Sequence, residues 1–194
     1  MTKIILATTS PYRREAFGFL GIDFEAEGSK VDESQARRTA GPEELVKQLS
    51  KLKAGAAVKN HPDAIVIGMD SVGYFNGKIL EKPKSREEAF QRLKNFSGKS
   101  YEFYTGVYVV NALTRKAITK VVKSEVFIRE LSDDEINKYL DQDANYKTYA
   151  HGYDPVKNIS SSFIIKLVGS YNNVLRGIPL EVIPDMLSRV GYNS

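Results

Sequence analysis

Asp70 directly follows Ala64-Ile-Val-Ile-Gly68-Met69, an apolar run with the pattern of a buried strand. Its carboxylate is therefore expected where that strand ends, a common place for reactive groups in α/β folds. There it would ligate a metal or act as a base on water, or simply cap the amides of a turn. Glu33, in Val31-Asp-Glu-Ser34, is a second carboxylate, either a partner to the first or a solvated loop residue. Arg13 and Arg14 fall in the first turn of a helix expected to begin at Ser10-Pro11. Positive side chains oppose the helix dipole there, a penalty that a bound phosphate would reverse; otherwise both point to solvent and pair with acids such as Glu15. Lys53 sits within an apolar helical face and Lys82 just before Pro83; each is a phosphate ligand or an exposed or snorkelling lysine. Tyr12 either stacks on a nucleobase or packs as a staple.

Composition narrows the chemistry further. The 194 residues include no cysteine, which removes thiol nucleophiles, disulfides and Cys-ligated zinc together. The two histidines, His61 before Pro62 and His151 in an irregular segment, lack partners at metal-ligand spacing. The net charge is +4 and the basic residues are dispersed, so a small polyanion suits the chain better than nucleic acid. The longest apolar runs are strand-length and fall well short of the roughly 20 residues that span a bilayer. With no signal-peptide pattern at the start, a cytoplasmic location and no membrane partner are expected.

The elements that must position these groups follow from periodicity and punctuation. Lys3 to Ala7 reads as a buried strand, then Ser10 as N-cap and Pro11 as first residue of a helix stopping near Gly21. Strand, loop and helix N-terminus in succession offer backbone N–H groups to an anion. An extended piece at Asp23 to Glu27 precedes a helix from Pro42 to about Lys59, with Leu45, Val46, Leu49, Leu52, Ala56 and Ala57 at helical spacing. Asn76-Gly77 predicts a hairpin between Val72 to Phe75 and Lys78 to Leu80. Ser85-Arg-Glu-Glu88 and Ser132-Asp-Asp-Glu135 each predict a capping box, opening helices that run to about Gly98 and Leu140. Tyr101 to Ala112 and Ala117 to Arg129 read as antiparallel neighbours, Asp141 to Ser162 as loop, Ser162 to Val168 as a strand and Pro179 to Val190 as a final helix. One domain over 1–194, α/β with a mixed sheet, is the expectation.

Assembled in order, these pieces resemble the Maf family of nucleotide pyrophosphatases. Leu6-Ala-Thr-Thr-Ser-Pro-Tyr-Arg-Arg14 is similar to its N-terminal signature, usually Leu-Ala-Ser-x-Ser-Pro-Arg-Arg. Matching pieces follow at Val31 to Ser34, Lys53-Ala54, Ile67 to Val72, Gly77 to Pro83, Leu93 through Ser97-Gly98, Tyr104 to Val107 and Gly177 to Leu180. The resemblance implies an elongated twisted mixed sheet with helices on its faces and two lobes flanking a cleft, as in inosine triphosphatases. It implies hydrolysis of a nucleoside triphosphate to the monophosphate and pyrophosphate with Mg²⁺ or Mn²⁺, in nucleotide-pool cleansing, with a homodimer by analogy. Carried over by position, Asp70, Glu33 and Lys82 become catalytic, with Asp70 and Glu33 at the metal. Thr8, Ser10, Tyr12, Arg13, Lys53, Ser71 and Lys157 become substrate-binding.

Departures from the family pattern bear on the base. Thr8 stands for the usual Ser, and Tyr12 replaces the first Arg as in the branch acting on a methylated guanine nucleotide. Ser71 has the hydroxyl type of the dTTP/UTP branch. Ala150-His-Gly-Tyr-Asp-Pro-Val-Lys-Asn158 replaces Ala-Gly-Ala-Tyr-x-Ile-Gln-Gly, which puts Lys157 near the expected Gln. That altered segment is also the ground for a second reading, a catalytically silent nucleotide-binding regulator of the same fold.

Overall fold

The apolar run after Lys3 forms β1 (Ile4–Ala7), buried throughout, with side chains alternating between two packed faces. Ile4 and Leu6 meet Ala16 and Phe17 of α1 (Pro11–Gly18) on one face. Ile5 and Ala7 meet Ala54 and Ala57 of α2 (Pro42–Val58) on the other. Coverage on both sides is why the strand is a continuous apolar stretch in sequence. The computed structural model describes residues 2–29, 31–33, 36 and 38–192; Ser34 of the Val31 to Ser34 motif lies outside them.

β1 runs parallel to β2 (Glu25–Glu27) on one side and to β3 (Ile65–Phe75) on the other. The rest of the mixed sheet is antiparallel: β4 (Lys78–Leu80), β5 (Ser100–Asn111), β6 (Ala117–Ile128) and β7 (Ile164–Val168) complete the order β2-β1-β3-β5-β6-β7, with β4 beside β3. Since α1 and α2 leave on opposite faces, a crevice opens at the carboxyl end of β1, a topological switch point.

β3 departs from the sequence expectation. It is one strand of 11 residues rather than two short ones, so Asp70 lies within it and not at its end. Antiparallel pairing with β5 from Ile65 to Tyr74 carries the strand past the point where β1 stops, opposite Gly68. β4 begins pairing only at Gly73, so one edge of residues 69–72 is left open toward the crevice. The hairpin itself is as expected, with Asn76 and Gly77 both at positive φ, as a two-residue turn requires.

The helix ends are partly as read. Ser132 and Glu135 close a full capping box on α4 (Asp133–Gln142). Ser85 caps α3 (Arg86–Phe96), but Glu88 accepts from the Lys84 amide instead of that of Ser85, so only half of that box forms. The last helix divides into a 3₁₀ turn at Leu180–Val182 and α6 (Ile183–Arg189). Pro184 has no N–H to donate back to Leu180, which breaks a continuous helix there. A six-residue helix, α5 (Tyr171–Arg176), capped by Ser170 and ended by Gly177 in the left-handed region, is additional to the elements expected from sequence; it is too short and too polar to leave a period.

β5 contributes to every apolar cluster, and the two largest meet along it. Val107 and Val109 pack with β1, α1 and α6; Tyr101 and Phe103 pack with α3, α4 and Phe163. The described residues contain no helix long and apolar enough to cross a membrane.

Contact of α2 with the sheet depends on two glycines. A Cβ on Gly68 would overlap the Ser50 carbonyl oxygen and lie 2.7 Å from the Ala54 amide nitrogen; one on Gly106 would overlap the Val46 carbonyl and lie 3.0 Å from the Lys47 nitrogen. Gly106 is the register partner of Asp70, so the close approach occurs beside the carboxylate. α2 buries Leu45, Val46, Leu49, Ser50, Ala54 and Ala57, while Leu52, expected on that face, is 40% exposed. Replacing Gly106 with Ala should cost about 2 kcal/mol or more, since the helix backbone must move, and lower Tm by several degrees. Gly55→Ala, on the same helix with nothing within 4 Å of the new methyl, should be neutral or stabilising by up to about 1 kcal/mol. Urea melts of the two variants check the contrast; equal effects would contradict it.

Candidate active site

The open edge of β3 faces a cavity of about 560 Å³ between the two largest apolar clusters. One end is lined by Thr8 to Arg13, Glu33, Lys53, Asp70 and Lys82, the other by Phe103, Tyr149, His151, Tyr153 and Asp154, with Arg176 and Gly177 alongside. It is polar and charged at one end and aromatic at the other.

The charged end is built from the turn after β1. Thr8 Oγ1 accepts from the Ser10 amide (3.1 Å) and Ser10 Oγ from the Arg13 amide (3.4 Å). Each hydroxyl spends its acceptor on the turn and keeps an O–H to donate. Tyr12, at the second helical position, has an amide with no intrahelical carbonyl. Arg13 then reaches across the open edge: Nε donates to Gly177 O (2.8 Å), Nη1 to Met69 O (3.0 Å) and Nη2 to Ser71 Oγ (2.7 Å). Ser71 is itself in contact with Thr105 Oγ1 (2.6 Å), so its hydroxyl serves to orient the guanidinium. All three acceptors of Arg13 are uncharged, and burial lowers its pKa against the raising influence of Asp70 and Glu33. Its positive charge therefore reaches the cavity without a direct counter-ion.

Asp70 is only 8% exposed. Burial raises its pKa, and the nearby Lys53 and Arg13 pull it back down. Lys53 Nζ, from α2, binds Asp70 Oδ1 and lies 3.0 Å from Glu33 Oε1, so one ammonium joins the two carboxylates. Arg38 holds the Glu33 segment: it pairs with Glu81 at 2.6 Å and donates to the Glu33 carbonyl at 3.4 Å. Lys82, the next residue, is exposed at the rim and has no ion-pair or hydrogen-bond partner among the described residues.

The donor set suits a hard divalent cation. No group of three or more His, Cys, Asp or Glu side chains is placed for a metal among the described residues, but Asp70 and Glu33 already share one cation, the Lys53 ammonium. Two carboxylates fit Mg²⁺, which keeps several waters and takes few protein ligands.

At the aromatic end a hydrogen-bond chain sets the histidine tautomer. His151 Nε2 lies 2.8 Å from Val174 O, which can only accept, so Nε2 carries the proton. Nδ1 then accepts from Tyr101 O–H (2.8 Å), and the Tyr101 oxygen accepts from Tyr153 O–H (2.9 Å). The imidazole stacks on Phe103 at 3.9 Å. Burial lowers its pKa to about 4, so His151 is a neutral wall residue and not a proton carrier at neutral pH. Across the cavity mouth Tyr12 O–H meets Tyr149 O–H at 3.2 Å, with ring centroids 5.6 Å apart.

Of the residues singled out from sequence, Thr8, Ser10, Tyr12, Arg13, Glu33, Lys53, Asp70, Ser71 and Lys82 line this one cavity. Lys157 does not: it is exposed, and the 3₁₀ turn at Ile159–Ser162 holds its carbonyl against Ser160 Oγ instead. Arg14 is exposed as well, and His61 pairs with Glu27 at the edge of β2. Arg38, Tyr149, Asp154 and Arg176 were not singled out. Only Arg176 had a signal, its place directly before the Gly177 to Leu180 motif.

The Maf-like protein family model matches residues 3–190. A 7-methyl-GTP pyrophosphatase of Aliivibrio fischeri is 35% identical over 99% of this chain and 98% of its own. The dTTP/UTP pyrophosphatases of Syntrophus aciditrophicus (38%, covering 97% of this chain and 90% of its own) and Pelotomaculum thermopropionicum (37%, 100% and 99%) are similar to the same extent. Among solved structures, the Staphylococcus aureus Ham1 protein overlaps 68% of this chain and 73% of its own at 22% identity, with a TM-score of 0.45.

The buried imidazole makes a pH-dependent contribution to stability. His151 titrates near 4 when folded and near 6.5 when unfolded. The unfolded chain therefore takes up the proton first as pH falls, and stability is lost between about 6.5 and 4, by an amount on the order of a few kcal/mol. His151→Gln supplies one donor and one acceptor without titrating. Urea midpoints at pH 7 and 4.5 should converge for this variant relative to the unsubstituted chain; equal drops in both would count against it.

Proposed function

The chain belongs to the Maf-like protein family, and from that premise we propose that it hydrolyses nucleoside triphosphates, ordinary or modified, to the monophosphate and pyrophosphate. The observation that carries the reading is a single cavity with partly buried cations and a helix N-terminus at one end and stacked aromatic rings at the other. A polyanion with a planar base matches both ends. The names borne by the relatives, pyrophosphatases of dTTP/UTP and of 7-methyl-GTP, fall in the same reaction class.

In this reading the phosphates lie along the start of α1. The hydroxyls of Thr8 and Ser10 donate to phosphate oxygens, as does the free amide of Tyr12, where the helix dipole favours negative charge. Arg13, already fixed by three acceptors, stabilises charge without reorganising, and Lys82 and Arg176 approach from the rim. Water attacks the α-phosphorus, the bond from that phosphorus to the α–β bridging oxygen breaks, and pyrophosphate leaves. Asp70 accepts the proton from the water: burial makes it a better base, and Lys53 and Arg13 keep it ionised. Asp70 and Glu33 would hold a divalent cation, Mg²⁺ or Mn²⁺, which when bound supplies further charge neutralisation at the phosphates.

Base selection is assigned to the aromatic end. Ser71 is occupied with Arg13 and Thr105, so its hydroxyl is not free to read a base. The hydroxyl of Tyr101 and the ring nitrogens of His151 are likewise spent within the protein. Tyr12 and Tyr149, whose hydroxyls meet across the mouth, are left to stack on the base.

Incubation with a nucleotide panel and Mg²⁺ in ¹⁸O-water should release pyrophosphate and place the label in the monophosphate. Orthophosphate as the first product, or label in pyrophosphate, would refute the reaction. Asp70→Asn should lower kcat by about 10²- to 10⁴-fold; near-normal turnover would remove Asp70 from the base role.

A further inference from the structure

Lys53 holds a place that a phosphate-binding lysine has no need of. Its Nζ binds Asp70 Oδ1 and lies 3.0 Å from Glu33 Oε1, and its side chain is only 16% exposed. These are the same two carboxylates that would hold the divalent cation, and the described residues offer no third acid to the group. The ammonium and the metal thus compete for the same oxygens.

The displaced ammonium has few places to go. Lys53 projects from α2 into the cavity, and the described residues give it no acid to pair with other than Asp70 and Glu33. A triphosphate brings several negative oxygens to that end. A cation arriving alone must therefore strand a partly desolvated ammonium, whereas a cation arriving with triphosphate transfers it to a new partner. The converse holds for a triphosphate alone, since drawing Lys53 toward phosphate takes from Asp70 and Glu33 the ammonium they share.

We propose that Lys53 is an internal counter-ion exchanged between the Asp70–Glu33 pair and the triphosphate, so that it disfavours metal binding to the empty protein and couples metal binding to nucleotide binding. The proposal rests on the reading of the site given above. The coupling is reciprocal, and effects of this kind commonly span about 5- to 150-fold in affinity.

The test is Mn²⁺ binding without nucleotide, followed by the electron paramagnetic resonance signal of the free ion. Lys53→Met should bind Mn²⁺ roughly tenfold more tightly than the unsubstituted chain, within the range usual for such coupling. Lys82→Met, which removes a charge from the same cavity but not from the carboxylates, should change the affinity less than about twofold, as expected of a screened rim charge. Unchanged or weaker binding in Lys53→Met overturns the proposal, as do equal gains in both variants or no Mn²⁺ binding by any of the three proteins. If Lys53→Met does not fold, the unsubstituted chain decides: Mn²⁺ should speed acylation of Lys53 by acetic anhydride, read by peptide mass against the exposed lysines. No change in that rate overturns it equally. No measurement here involves a nucleotide, so failure of the pyrophosphate assay and failure of the exchange are separate results.

Discussion

Helix α2 lies against β3 and β5 because positions 68 and 106 carry no side chain. The consequence is electrostatic as well as steric. Brought that close, the helix places Lys53 on Asp70, and a carboxylate that burial alone would drive toward its neutral form stays paired with a cation. A strand residue with no helix above it would be solvated and unremarkable in its acidity. The reactivity assigned to Asp70 thus depends on two glycines that bear no functional group.

On the opposite face of β3 the counterpart is Arg13. Its three bonds go to a hydroxyl and two carbonyls, none charged, so the guanidinium is rigid without being neutralised. One of those carbonyls belongs to Met69, on the edge of β3 left open between the end of β1 and the start of β4. Another belongs to Gly177, whose left-handed conformation ends α5 and turns its carbonyl back toward α1. A gap in strand pairing and a helix stop, each a local event, together fix a standing positive charge beside the cavity.

Much of this was legible along the chain, and the reason differs from element to element. β1 showed because both of its faces are buried; α4 because its capping box is a contact between residues three apart; the β3–β4 turn because Asn76-Gly77 suits positive φ with few competitors. The half-formed box at Ser85 shows the limit: Ser85 and Glu88 have the right spacing, yet Glu88 bonds the Lys84 amide. Leu52 fits the helical period of α2 but is exposed, because the glycine contacts rotate the buried stripe toward Ser50 and Ala54. Lys157 was placed by analogy with a segment whose length has changed, and the 3₁₀ turn after it holds it away from the cavity.

Sequence alone determined the chemical repertoire, since a chain without cysteine and with two histidines that lack partners at metal-ligand spacing must work through carboxylates, lysines, arginines and a helix N-terminus. It also determined which stretches would be strands and helices wherever the signal is local, because capping, turn geometry and two-sided burial act over a few residues. Tertiary structure decided the pairings: that Asp70 lies within a strand, that Lys53 joins it to Glu33, that Arg13 bridges Met69, Ser71 and Gly177, and that His151 is a neutral wall. Those contacts span from 17 to 164 residues of chain. Charge state and hydrogen-bond partnership are set by what lies nearby in space, and no local pattern in a sequence records that.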